Sequence, residues 1–243
     1  MNRRLTATLL ASDLTEVIQL LQSKGILPPN LTKEMADTTK AIHSATYSLI
    51  LWRFRLHSLP PHGRIFLDEI ASDALQILPQ IMMGFNKPFK LLLRGIAENT
   101  LRHIYFIDHP VEFERMNRDT KWYMSVDGLL EYAKHHPQLM RVELKFDALA
   151  KISSLYSDLS AGVHGRSVRD LEMHSALKRI KFEPVVAAAH LDTLKKCAAA
   201  VNFILAIFHH TRVHKFPVQE RSLLLRTMPA AARAVWVSHD PNT

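Results

Sequence analysis

The chain has one cysteine, Cys197, in 243 residues. No intramolecular disulfide can hold it together, so the fold has to rest on a buried apolar core. A lone cysteine also fits a reducing compartment, and a cytoplasmic location is expected. Glycine is scarce, at seven. No glycine-rich phosphate loop and no Gly-x-Ser-x-Gly nucleophile elbow occurs, and Cys197 has no histidine placed to make a nucleophile pair. Alternating β-branched runs are few as well, which excludes a chain built mainly of strands. Long apolar runs are also missing. The nearest is the twelve-residue CAAAVNFILAIF, Cys197 to Phe208, with Asn202 inside it. That is well short of the about 18 residues a membrane span needs, so a buried core helix is expected there. Near the start, Asp13 and Glu16 interrupt the apolar patch that follows Arg3 and Arg4, and no secretory signal is expected. Repeats and low-complexity tracts are lacking too.

What is present is Leu, Ala, Met and Lys/Arg, a helix-forming mixture with 47% hydrophobic and 22% charged residues. The net charge is +8. Its excess lies at the two ends, in residues 1–59 and 195–243, while 60–140 is near balance. Such a balance draws polyanions, nucleic acid among them; a solvated basic terminus is the equally weighted alternative.

Punctuation divides the chain into helices. A first is expected from Leu14 to Lys24, stopped by Gly25, and a second from Thr32 to His57 after Leu27-Pro28-Pro29-Asn30. A third runs from Arg64 to Gly84 with Pro79 inside it, and a fourth from about Pro88 to Asp108. A short helix with a loop follows Pro110. Two more helices, Gly128 to His136 and Gln138 to Gly165, are separated by Pro137. The stretch 166–184 reads as loop with a short helix, Pro184 opens a long helix to His210, and a short helical piece lies beyond Pro217. The fold class is all-α: a single bundle of six to nine helices, with residues 1–60 as an N-terminal helical arm, 61–215 as the bundle and 216–243 as a basic tail.

Two helices carry an unusual pattern. At about 100° per residue, Arg94, Tyr105, Glu98, His109 and Arg102 fall inside an arc of about 80°, while the rest of Leu91–His109 is mostly apolar. A helix that buries such a stripe needs polar partners, because an unpaired buried charge is too costly. KISSLYSDLSAGVHG supplies a second stripe, with Tyr156, Ser160 and His164 spaced i, i+4, i+8 and Ser153 beside them. The expected contact is between these two stripes, with Glu98 holding Arg94, Arg102 or His164 and the hydroxyls satisfying the remaining donors.

The leucine-rich helix reading Arg94-x3-Glu98-x3-Arg102, followed about fifty residues later by Tyr156-x2-Leu159-Ser160-x3-His164-Gly165, resembles the HEPN superfamily. The likeness is to its abortive-infection and phage-defence branches and covers roughly residues 60 to 210. It implies an HEPN-like helical core, a role in antiviral defence or as a toxin, and dimeric, metal-independent ribonuclease chemistry. The family's motif is an Arg, a polar residue and then a His within four to six positions. Arg102-His103 leading to His109 fits it, and so does Arg169-Asp170 leading to His174. In such a pair the His moves the proton of the 2′-hydroxyl or of the leaving oxygen, and the Arg stabilises the charge on phosphorus.

The catalytic candidates are therefore Arg102, His109, His164, Arg169 and His174, with Arg94, Glu98, Tyr156 and Ser160 as a polar network. Each has a plainer reading. The Arg94/Glu98/Arg102 line also reads as a structural ion-pair ladder, His109 as a helix-end cap, His164 as a satisfied core histidine and Arg169/His174 as surface. With fourteen histidines in the chain, Arg55 to His62 and Arg233 to His239 match the Arg-to-His spacing as well, and only the polar second position and the helical setting favour the other two. His210 and His214 share a helical face, and His135-His136 precede a proline. No carboxylate or cysteine stands at ligand spacing beside either pair, so no metal or other cofactor is expected. Expected partners are RNA or another nucleic acid, and a second copy or a partner protein of a defence system; a membrane is not expected. The alternative to an enzyme is a non-catalytic HEPN-like binding subunit.

Overall fold

In the computed structural model of the chain, residues 7–164, 175–176 and 179–238 are described. They form helices and connections with no strand among the described residues, as the composition predicts. The helices are α1 (Ala7–Ser23), α2 (Lys33–Arg55), α3 (Pro61–Met83), α4 (Asn86–Asp108), α5 (Pro110–Arg118), α6 (Val126–His135), α7 (Pro137–Phe146), α8 (Ala148–His164), α9 (Pro184–Phe208), α10 (His210–Val213), α11 (Val218–Thr227) and α12 (Ala230–Ser238). Local chemistry sets many of the ends. Thr32 Oγ1 accepts the Met35 N–H at 3.2 Å to cap α2, and Ser125 Oγ accepts the Gly128 N–H at 3.2 Å to cap α6. Proline opens α3, α5, α7 and α9, where its missing N–H costs nothing.

Twelve described helices replace the six to nine expected. The extra breaks come from signals that periodicity does not carry. The helix read as Gln138 to Gly165 is two, because Asp147 takes φ 50°, a left-handed conformation that parts α7 from α8. The segment after Pro217 is likewise two helices, α11 and α12, parted at Met228-Pro229. Pro79 is accommodated inside α3, which continues to Met83.

The core is organised around α9. From Val201 to His209 every residue is buried, and α9 meets α2, α3, α4, α7 and α8 as well as the three helices that follow it. Helix α3 packs along both α2 and α4, and α4 turns its other side to α8 and α6. Trp52, Leu49, Ile42, Ile70, Ile77, Leu93 and Ile96 are wholly enclosed, the kind of burial worth about 1.5–3 kcal/mol per large side chain. Asn202, the polar break in the apolar run, is part of that core. Its Oδ1 accepts the Trp52 indole N–H at 2.8 Å, and its amide donates to Ser48 Oγ at 2.8 Å and Thr227 Oγ1 at 3.0 Å. One side chain thereby ties α2, α9 and α11 together with every group satisfied.

Gly84 closes α3 in the left-handed region at φ 77°, and its N–H returns to the carbonyls of Gln80 and Ile81. A Cβ here would overlap the backbone carbonyl of Lys181, on the strand of chain that leads into α9. Two penalties therefore coincide at this position. Gly84→Ala is expected to lower the unfolding free energy by at least about 2 kcal/mol, checked by urea denaturation. An unchanged midpoint would show that the α3 end and the segment before α9 do not hold each other in place.

Candidate functional site between helices α4 and α8

The two polar stripes meet. Helices α4 and α8 lie against each other, and Arg94 is the residue that joins them. Its Nη2 donates to the Tyr156 hydroxyl at 3.0 Å, its Nη1 donates to His164 Nε2 at 3.2 Å, and its guanidinium carbon sits 5.1 Å from the Tyr156 ring centroid. Arginine carries only donors, so His164 must present the Nε2 lone pair, which places its own proton on Nδ1. Glu98 takes the other arginine: Arg102 Nη2 stands 2.5 Å from Glu98 Oε1, one helical turn away. The sequence left three partners open for Glu98, and the one it meets is Arg102.

This polar line forms the floor of a cleft of about 560 Å³, within the range of small-molecule and nucleotide sites. Arg94, Glu98 and Arg102 come from α4, and Ser153, Tyr156 and Ser157 from α8. The third wall is the 123–127 segment and α6, including Tyr123, Ser125 and Asp127. Glu98 and Arg102 are half-buried, while His164 at the end of α8 is exposed. Two donors or acceptors on this seam lack a partner among the described residues: Arg94 Nε and Ser160 Oγ, both buried. The cleft offers two guanidinium groups, the carboxylates of Glu98 and Asp127 and several hydroxyls around one open space, and the His164 imidazole reaches it through its bond to Arg94.

His109 does not join this cleft. Its ring stacks on Tyr105 at 4.1 Å and 2°, its Nδ1–H donates to the Tyr105 carbonyl at 2.7 Å, and Tyr132 meets it edge-on at 4.8 Å. Next to it, the Asp108 carboxylate accepts from the Tyr132 hydroxyl at 2.7 Å and from His136 Nε2–H at 3.2 Å, which leaves His136 Nδ1 to accept the Gln138 N–H that opens α7. Burial first and then Asp108 hold the Tyr132 hydroxyl above its usual range, so it stays protonated. Arg102 and His109 share a helix face but have separate partners. Arg169 and His174 lie outside the described residues.

Sequence reasoning missed two features. The third wall of the cleft falls in the irregular stretch before α6, which has no period to read. The other is a buried imidazole pair. His103 lies about 180° from Arg94 on the wheel, on the apolar side of α4, and is fully enclosed. Its Nδ1–H donates to the Gly63 carbonyl at 2.6 Å, so its Nε2 accepts from His209 Nε2–H at 2.7 Å. Burial pushes His103 down to about 4 and His209 well below its usual value, so both are neutral. A histidine on an apolar face was the available signal.

Cys197 is enclosed by α9 and its neighbours, and burial pushes its thiol up to about 12, which removes it as a nucleophile. Among the described residues, no group of three or more His, Cys, Asp or Glu converges as a metal ligand set. Nor is any described helix long and apolar enough to cross a membrane. Comparison with family models, with curated proteins and with solved structures finds no match for this chain.

Proposed function

We propose that the α4–α8 cleft binds RNA and cleaves it without a metal, and that the protein is an HEPN-like ribonuclease of defence or toxin type. The observation that carries this reading is the Arg94–His164 pair. It is an arginine–histidine couple drawn from two helices: Arg94 lines the open cleft together with a second arginine, Arg102, and His164 stands exposed beside it at the end of α8. It takes the place that the sequence motif gave to Arg102 and His109.

In the proposed step the Nε2 lone pair of His164 takes the proton of a ribose 2′-hydroxyl. The 2′-oxygen bonds to phosphorus and the bond to the 5′-oxygen breaks, giving a 2′,3′-cyclic phosphate and a 5′-hydroxyl end. The leaving oxygen takes its proton from water or from the Tyr156 hydroxyl. Arg94 shifts from the imidazole to the phosphate, and with Arg102 it neutralises the charge that builds on the non-bridging oxygens. Glu98 holds Arg102 in position. Pairing of two such sites in a homodimer belongs to the same proposal.

The half-buried Glu98–Arg102 ion pair favours one rival, a non-catalytic binding subunit in which the stripe is structural. Incubating the purified chain with total RNA separates the two. His164→Ala and Arg94→Ala are each expected to slow cleavage about a hundredfold, the low end of what a positioned proton-transfer group contributes. His109→Ala is expected to cut at the wild-type rate. Absence of cleavage by every form, with RNA or a partner protein still bound, decides for the rival.

A further inference from the structure

We infer that His210 and His214 form a two-ligand site for a divalent transition-metal ion, copper(II) before zinc(II), separate from the α4–α8 cleft. His210 opens the short helix α10 and His214 follows its last residue, one turn on, with their Nε2 atoms in hydrogen-bond contact at 3.1 Å. A metal bound to imidazole sits about 2.0–2.1 Å from nitrogen, so an ion held equally by both atoms sees them at an angle of about 100°. That value falls between the right angle of tetragonal copper and the tetrahedral angle of zinc, so the separation of the two nitrogens suits either ion. Both rings need only carry their protons on Nδ1, which frees Nε2 without any net change of charge.

The surroundings of the pair support a cation. Trp236 of α12 stacks on His214 at 4.4 Å and 10° and meets His210 edge-on at 5.9 Å. The indole fixes both rings, and its π face stabilises the positive charge an imidazole acquires on binding a metal. The indole N–H of Trp236 is buried and has no acceptor among the described residues, and a water or hydroxide completing the metal's coordination would supply one. With imidazole ligands, affinity follows the general order that puts copper(II) above zinc(II) and nickel(II). No carboxylate or cysteine stands at ligand spacing beside this pair in the sequence. A two-ligand site with open positions does not require one from the chain, and open positions are what an exchangeable ion needs.

The test uses the untagged full chain at neutral pH, titrated with copper(II) and followed by tryptophan emission and by calorimetry. Copper(II) quenches a nearby indole, and Trp236 is one of three tryptophans in the chain. The expected result is saturable quenching at one equivalent, reversed by excess zinc(II), which does not quench. His210→Asn and His214→Asn are each expected to weaken binding at least about tenfold with far-UV circular dichroism unchanged. Trp236→Phe is expected to bind copper but lose the saturable quench. Wild-type affinity in either asparagine variant, or the same quench persisting in Trp236→Phe, would overturn the assignment. Binding to a folded asparagine variant is read calorimetrically, so the result does not depend on RNA cleavage.

Discussion

Arg55→Met is expected to remove about 3 kcal/mol or more from the unfolding free energy, in the range found when one partner of a buried ion pair is lost. Arg55 ends α2 and Glu220 stands in the first turn of α11, so each charge also faces the helix end that favours it. The guanidinium grips the carboxylate through Nε and Nη2 together, a two-point geometry that lysine cannot copy. Glu220 is 1% exposed and Arg55 18% exposed, so water screens the pair little. Methionine keeps the stem's packing and takes away only the guanidinium, which leaves Glu220 to meet its burial cost without that partner. The double variant Arg55→Met, Glu220→Leu is expected to recover most of the loss, because a buried pair and a packed apolar pair are often close in free energy. Urea denaturation of wild type and both variants provides the comparison. A single variant within about 1 kcal/mol of wild type would mean the pair behaves like an exposed one.

The second large effect is on acid stability. His103 and His209 are neutral in the folded state, their pKa values depressed chiefly by burial, whereas both protonate near pH 6.5 once unfolded. The unfolded chain therefore binds up to two more protons below that pH. Stability is flat above about pH 7, and falls as the pH drops through 6.5 toward about 4, where His103 itself begins to protonate. At about 1.4 kcal/mol per proton per pH unit, the two together account for a loss of about 3–4 kcal/mol between pH 7 and pH 5.

Asp73 works in the opposite direction. Burial, and after it Glu69, raises its carboxyl to about 6, so the folded state binds a proton there that the unfolded state does not. Its side chain is half-exposed, and the opposing contribution is correspondingly small. Denaturation midpoints at several pH values give the slope, and ring nitrogen chemical shifts report the charge state directly. Imidazolium shifts at either histidine in folded protein at pH 5 would end this account, and so would a midpoint that does not move.

Much of this could be read from residue order because it depends on neighbours along the chain. The scarcity of glycine and of β-branched alternation pointed to helices; Thr32, Gly84 and Ser125 act at helix ends through bonds to backbone a few positions away, and Pro61 acts through its fixed φ. The stripe on α4 and the Tyr156–Ser160–His164 line on α8 were visible as angles on a wheel, and two buried polar lines in one bundle have to face each other or water. Where an end depends on one residue entering the left-handed region, as at Asp147, composition carries no such signal, and one helix was read in place of two.

The order of residues alone determined that the chain is helical, which faces lie inside, and that α4 and α8 turn polar edges toward each other. Only the tertiary structure decided who meets whom between helices: Arg94 with His164, His103 with His209, and Arg55 with Glu220 across 165 positions. The physical reason is one of range. The helical period is set within a turn, so it survives in the sequence. The choice of partner depends on how far each helix is rotated and displaced against the next, and that is settled by the packing of apolar side chains distant in sequence, among them Trp52, Leu93 and Ile204.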